Sequence, residues 1–412
     1  MLNKVTSKYV IILKGGCIIM DNFMNEAKKL KDELIEYRRT IHKNPEVGST
    51  LPKTKEYIIG KLKEFGYEPK EICESGIVAV IEGKKPGKTF LLRADMDALP
   101  MSEANECDFK STNGCMHSCG HDMHSAMLLG AAKLLKQNQD QIEGSVKLVF
   151  QPDEEGFTGA KKMIKAGVLK NPNVDAAMAM HVHSGTPSNV VLYGLGTSIA
   201  GCNRFRIIVK ARGCHGAMPE TGVDPINIAA HIYISLQEII SREIPATKPA
   251  VLTIGKFAGG DAPNIIPDEV VMEGTIRSLD KELGEFIFNR MNDIVTSTAK
   301  MFRGEAQLIE LSSAPPLEND TKLANELGSY VKELIGEKCV ISFEGGGMGS
   351  EDFASYTYEV PSVYFMLGAG TKKENSLYGE PMHNSKVVFN EDILVTGAAM
   401  HAYCAIQWLH NN

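Results

Sequence analysis

The sequence predicts an α/β protein built on a mainly parallel sheet with helices on both faces and interrupted once by a smaller α+β unit. Three observations carry this expectation. Near-continuous apolar runs of strand length alternate with helix-period stretches through the first half of the chain, the pattern of strands buried on both faces. Between residues 200 and 314 the order becomes β-α-β-β-α-β, the split βαβ pattern. After "APPLEND" at 314–320 the α/β pattern resumes and runs to the C-terminus, which makes the smaller unit an insertion.

From residue 22 to 65 apolar residues recur at helical spacing in two stretches, parted by "HKNPEVGST", where Pro45 and Gly48 break the pattern. A helix, a loop and a helix are expected there. Strand-like runs follow: "GIVAVIEG" (76–83), "KTFLLRADMDAL" (88–99), "GSVKLVFQPDEEG" (144–156) and "VDAAMAMHVHSG" (174–185), with the helical "HSAMLLGAAKLLKQNQDQI" (124–142) between the second and third. These runs end in acidic or histidine residues. Ligands in open α/β sheets gather at the carboxyl ends of strands, so the candidate chemistry stands where such a fold places it. Within the insertion, "NRFRIIVKARG" (203–213) alternates as a half-exposed strand, and 224–244 reads as a long helix. Residues 250–260 and 269–279 read as strands, 281–302 as a second helix and 305–313 as a last strand.

At 412 residues, 43% hydrophobic and 23% charged, the composition is that of a globular chain long enough for two sizeable cores. A net charge of -7, with no run of basic residues and interleaved aromatics, argues against nucleic acid and anionic membrane as partners and for small molecules. The nine cysteines are odd in number and mostly isolated, unlike a secreted disulfide scaffold, so a reducing cytoplasm is expected. The apolar run "YVIILKGGCIIM" at 9–20 is too short to span a bilayer and is broken by Lys14, Gly15 and Gly16. Lys-Gly-Gly can be encoded by AAAGGAGG, which resembles a bacterial ribosome-binding site. The reading is that translation starts at Met20 and that residues 1–19 are upstream leader.

"MHSCGHDMHSAM" (116–127) packs three histidines, a cysteine and an aspartate into one short stretch. Beyond Cys119 and His121, further candidates stand at strand ends or in loops: Asp95 and Asp97, Glu154 and Glu155, His181 and His183, and His383. Zinc and similar ions take thiolate, imidazole and carboxylate together, and ligands dispersed over several strand ends suit a catalytic site rather than a structural one. Each also has an ordinary reading. Glu154 and Glu155 could be a solvated loop, Asp95 or Asp97 a helix cap, His124 and His183 packing residues, and Cys115 with Cys119 a redox pair. Their joint placement favours the metal.

"RADMDALP", "MHSCGHDMHSAMLLGAA", "FQPDEEGFTGAKKMIKAG", "CHGAMPETGVDPI", "NIIPDEVVMEGTIR" and "GSEDFASY" together resemble the amidohydrolase branch of the metallo-aminoacylase and carboxypeptidase superfamily, over about residues 24 to 410. That branch includes hippurate hydrolases, auxin-conjugate hydrolases, N-acyl-amino-acid amidohydrolases and N-acetyldiaminopimelate deacetylases. The resemblance implies a metallopeptidase-like catalytic domain in two parts, 20–199 and 315–412, with a ferredoxin-like lid and dimerisation domain at 200–314. It implies two divalent ions, zinc, manganese, cobalt or nickel, with Cys119 between them, His121 and His181 on one side and Glu155 and His383 on the other. Where much of the superfamily has a histidine ligand this chain has Asp95, so His121 supplies the imidazole and Asp95 stays open as a ligand. Glu154 would be the general base, with Asp97, Asp122 and His124 orienting the groups around the ions. His215 would enter the active site of a partner subunit, and Asn264 and Arg277 would hold the substrate carboxylate. The activity implied is cleavage of the amide bond of N-acetyl or aromatic N-acyl amino acids. The alternatives are a carboxypeptidase acting on short peptides and a non-catalytic metal-binding or thiol redox-sensing relative, against which the free base Glu154 speaks.

Overall fold

Alternation within a single strand shows how the large sheet is buried on both faces. In Lys85–Asp95, the side chains of Phe90, Leu92 and Ala94 enter one apolar cluster while Leu91 enters another on the opposite face. Arg93 and Asp95 share the parity of Leu91 and are as deeply buried as the apolar residues. The computed structural model describes residues 21–412, so the expected start at Met20 and its leader lie outside the described residues.

Across the large sheet lie Lys70–Cys73, Gly76–Glu82, Glu143–Gln151, Lys85–Asp95, Ala176–His183, Ser362–Gly368, Val191–Ile199 and Leu317–Asn319, with Val340–Glu344 beside Val191–Ile199. The centre is parallel: Glu143–Gln151, Lys85–Asp95, Ala176–His183 and Ser362–Gly368 run the same way. The margins are largely antiparallel, through Gly76–Glu82 on one side and Val191–Ile199 on the other. All four expected strands form, but their polar tails, 96–99 and 152–156, leave the sheet as loops. Those loops carry the candidate site.

Helices cover both faces. His121–Gln137, which begins at His121 rather than 124, packs against Ile393–Asn411. The two approach closely because Gly130 has no side chain: a Cβ there would stand 2.4 Å from Leu34 Cδ2 and 2.9 Å from Ala398 Cβ. The N-terminal region forms three helices, Asp21–Lys29, Lys31–His42 and Pro52–Glu64, rather than the expected two, because the first stretch breaks at Leu30.

The chain enters a second, four-stranded sheet at Gly201 and leaves it at Ala314. Its order is Glu305–Ala314, Gly201–Lys210, Glu269–Ser278, Ala250–Ala258, all antiparallel. Helices Pro225–Glu238 and Lys281–Met301 bury Phe205, Ile207, Val209 and Met272 on one face. Asp224 and Asp280 cap these helices by accepting from the backbone N–H groups of Ile226 and Leu283 respectively.

Candidate metal and catalytic site

The loops at the carboxyl ends of the central strands converge with the start of His121–Gln137. Gly120, at φ +90°, makes the turn between Cys119 and His121, and a Cβ there would meet Val182 Cγ2 at 2.4 Å. Cys119 Sγ lies 3.4 Å from His181 Nε2 and 3.3 Å from His383 Nε2. His181 donates Nδ1–H to the Val182 carbonyl at 2.6 Å, which leaves the Nε2 lone pair facing the thiol. His383 Nε2 is also 3.3 Å from Glu155 Oε1. Two groups of potential ligands therefore share Cys119: one with His121 and His181, the other with Glu155 and His383.

The donor set fits a pair of cations. Both ring nitrogens of buried His121, and Glu155 Oε1, have no hydrogen-bond partner among the described residues. Buried polar atoms left unpartnered in this way are costly unless a bound group pairs with them. A shared thiolate flanked by imidazoles and a carboxylate suits zinc and its first-row neighbours.

The residues behind the ligands are locked. Asp97 accepts from the backbone N–H groups of Glu154 and Glu155 at 3.0 and 3.1 Å and stands 3.5 Å from His121 Nδ1. Asp95 is engaged by His124 Nδ1 at 2.5 Å and by Arg93 at 2.6 Å, while His124 Nε2 accepts from the Val182 N–H. Asp95 and His124 thus hold each other and the strand end, and with His121 they form a further group of potential ligands.

Asp122 corrects the sequence expectation, because it takes no hydrogen bond from a candidate ligand. It accepts from Arg38 at 2.7 Å and pairs with His42 Nδ1 at 2.8 Å. Burial raises its proton affinity, but Arg38 and His42 outweigh this and hold its carboxyl well below the usual range. Asp122→Ala would leave the buried Arg38 with Glu391 as its remaining carboxylate partner, and His42 without its partner at Nδ1, and lower stability by about 1–3 kcal/mol, read as a shift of the denaturant midpoint. An unchanged midpoint would refute this role.

Glu154 is buried, 5% exposed, with Oε2 3.8 Å from His121 Nε2 and Oε1 accepting from the Asp352 N–H at 3.3 Å. Burial and the neighbouring carboxylates of Glu351, Glu155 and Asp352 raise its proton affinity well above that of an ordinary glutamate. The surrounding acids converge on one cation: Arg93 binds Asp95, Glu351 and Asp352, and Tyr364 donates to Glu351 at 2.6 Å. Sequence reasoning assigned no role to Arg93, Glu351 or Asp352. The signal available was an arginine inside an apolar strand together with the acidic pair in "GSEDFASY".

These groups open into a cavity of about 690 Å³ lined by Cys119, Glu154, Glu155, His181 and His383, with Arg204 and Arg277 contributed by the second sheet. Phe157, Leu192, Phe343 and Met366 supply apolar walls. Arg277 donates to the Met348 carbonyl and to Ser350 Oγ, both at 2.9 Å. His215 and Asn264 do not line this cavity. They lie together on the exposed surface, where the short strand Cys214–His215 pairs with Ile265–Ile266.

Candidate metal ligands that converge on one cysteine at the carboxyl ends of a parallel sheet, in a cavity with further buried carboxylates, define a metallohydrolase. Residues 91–407 match peptidase family M20/M25/M40, and the chain belongs to that family. Thermostable carboxypeptidase 2 of Saccharolobus solfataricus is 37% identical over 396 residues, covering 95% of this chain and 99% of its own. Hippurate hydrolase of Campylobacter jejuni is 35% identical over 390 residues, covering 94% and 100%. The crystal structure of a dinuclear metal-binding peptidase of the M20 family from Bacillus subtilis superposes with a TM-score of 0.77 at 30% identity, covering 93% of this chain and 100% of that one. No helix among the described residues is long and apolar enough to cross a membrane.

Proposed function

We propose that this protein is a cytoplasmic, homodimeric amidohydrolase, dependent on two divalent ions, that cleaves N-acetyl or aromatic N-acyl amino acids. The observation that carries the reading is Glu154, a buried carboxylate that the ligand groups sharing Cys119 do not need, facing a cavity that also holds Arg277. A pure binding protein has no use for such a base. The hippurate hydrolase relative supports the substrate class. The carboxypeptidase relative supports a second reading, cleavage of short peptides, since both substrates present an amide next to a free carboxylate.

Cys119, His121, His181, Glu155 and His383 would hold the ions, with zinc, manganese, cobalt and nickel all compatible with the donors. When bound, such ions supply a Lewis acid for the amide carbonyl and a water of lowered pKa. Arg277 grips the substrate carboxylate and so places the amide near Glu154. Glu154 takes the proton of the attacking water and then gives it to the leaving nitrogen. Asp97, through the Glu154 and Glu155 N–H groups, keeps base and ligand in register.

The metal-reconstituted protein should hydrolyse hippurate and N-acetyl amino acids faster than dipeptides. Faster cleavage of dipeptides would favour the carboxypeptidase reading, and N-acetyldiaminopimelate extends the same screen.

The domain division is part of this proposal: residues 200–314 form the lid and dimerisation domain, and 20–199 with 315–412 form the catalytic domain. Two observations support the dimer. The strand Ala250–Ala258 is an open edge carrying Val251 and Phe257, 40% and 44% exposed. His215 and Asn264 are outside their own chain's cavity lining, as residues serving a partner would be. His215 would hydrogen-bond the developing oxyanion of the partner's site, so His215→Ala should lose on the order of a hundredfold or more in turnover. Mixed under subunit exchange with the inactive Glu154→Gln protein, it should recover about a quarter of wild-type activity per subunit, from one competent site in each heterodimer. No recovery despite proven exchange would exclude a role across the dimer.

A further inference from the structure

We infer that the active-site cavity has a second anion subsite at Arg204, so that the preferred substrates carry a second carboxylate besides the one held by Arg277. The inference rests on the amidohydrolase reading and deepens it. In the second sheet, Arg277 pairs directly with Cys202, and Arg204 is its diagonal neighbour on the same face. Their Cα atoms stand roughly 7–8 Å apart in such a register. Both side chains line the cavity.

Two cations side by side repel each other unless something neutralises them. The next arginine along that face, Arg206, is neutralised, by Glu273 at 2.7 Å. Arg204 has no ion pair and no side-chain hydrogen bond among the described residues; its guanidinium lies 4.4 Å from the centroid of the Phe157 ring. That cation–π contact uses the face of the ring and takes none of the N–H groups. Nearby carboxylates face other groups: Glu351 is bound by Arg93 and Tyr364, Glu155 stands 3.3 Å from His383, and Glu154 accepts from the Asp352 N–H. Arg204, and the N–H groups of Arg277 other than the nitrogen that donates to Met348 and Ser350, are therefore left for the substrate, and a fork of this kind selects a planar carboxylate.

The second carboxylate could sit on the amino-acid side chain or on the acyl group, and kinetics separates the two. The metal-reconstituted enzyme would be assayed with N-acetylalanine, which carries one carboxylate, with N-acetylglutamate, and with N-succinylalanine. One of the two dicarboxylates should exceed N-acetylalanine in kcat/KM by roughly tenfold to a hundredfold, the scale of a charge-assisted hydrogen bond. Arg204→Gln should erase most of that ratio, and Arg204→Lys should keep part of it. Equal kcat/KM for all three in the wild type, or a ratio that survives Arg204→Gln, overturns the subsite while hydrolysis of N-acetylalanine leaves the amidohydrolase reading standing. Hydrolysis of none of the three overturns both. The wild-type comparison decides the matter even if the variants misfold.

Discussion

A strong chelator should abolish amide hydrolysis by this protein, and a divalent ion added back should restore it. The expectation follows from where the donors come from. Cys119 and His121 stand at a helix start, His181 near the end of Ala176–His183, and Glu155 and His383 in loops, and they converge on one cavity. The unpartnered nitrogens of His121 give an independent reason for a cation to be there. Ligation needs a deprotonated thiol and neutral imidazoles, so binding releases protons and metal affinity falls as the pH falls. Metal content measured beside activity makes the test specific: two ions per subunit should leave and return with turnover. Full activity in demonstrably metal-free protein would end the reading.

Glu154→Gln should lower turnover by roughly a hundredfold to ten-thousandfold while leaving metal content nearly unchanged. Glutamine keeps the size of the side chain, and its amide oxygen can still accept from the Asp352 N–H that now holds Oε1. What it loses is the ability to take a proton. Glu155→Gln is the matching control, since Glu155 faces His383 and Cys119 and should release an ion when its charge is removed. If Glu154→Gln loses metal and Glu155→Gln keeps it, the roles of base and ligand are reversed, and equal loss makes Glu154 a ligand too.

The candidate ligands were legible because each is a residue type with few ordinary uses at the end of an apolar strand or in a short, dense motif. Asp122 shows the limit of that reasoning. It follows His121 directly, yet successive helical residues point about 100° apart, so its carboxylate turns away toward Arg38 and His42. Arg93 was illegible for a different reason. An arginine in an apolar strand has no partner nearby in sequence, and its acids Glu351 and Asp352 lie some 258 residues further on. Arg204 looked like one polar position of an alternating strand, and nothing local distinguished it from Arg206, which has an acid opposite.

Sequence alone determined four strands of the large sheet with the helix among them, the split βαβ pattern of the insertion and the chemical types of the candidate donors, because periodicity and residue type are local properties of the chain. Only the tertiary structure decided the distances among the donors, that Asp95 and His124 bind each other, that the sheet turns antiparallel at its margins, and that Arg204 reaches the cavity. Those are distances between residues far apart in sequence, set by how strands pair and helices pack. Local pattern does not encode them one residue at a time.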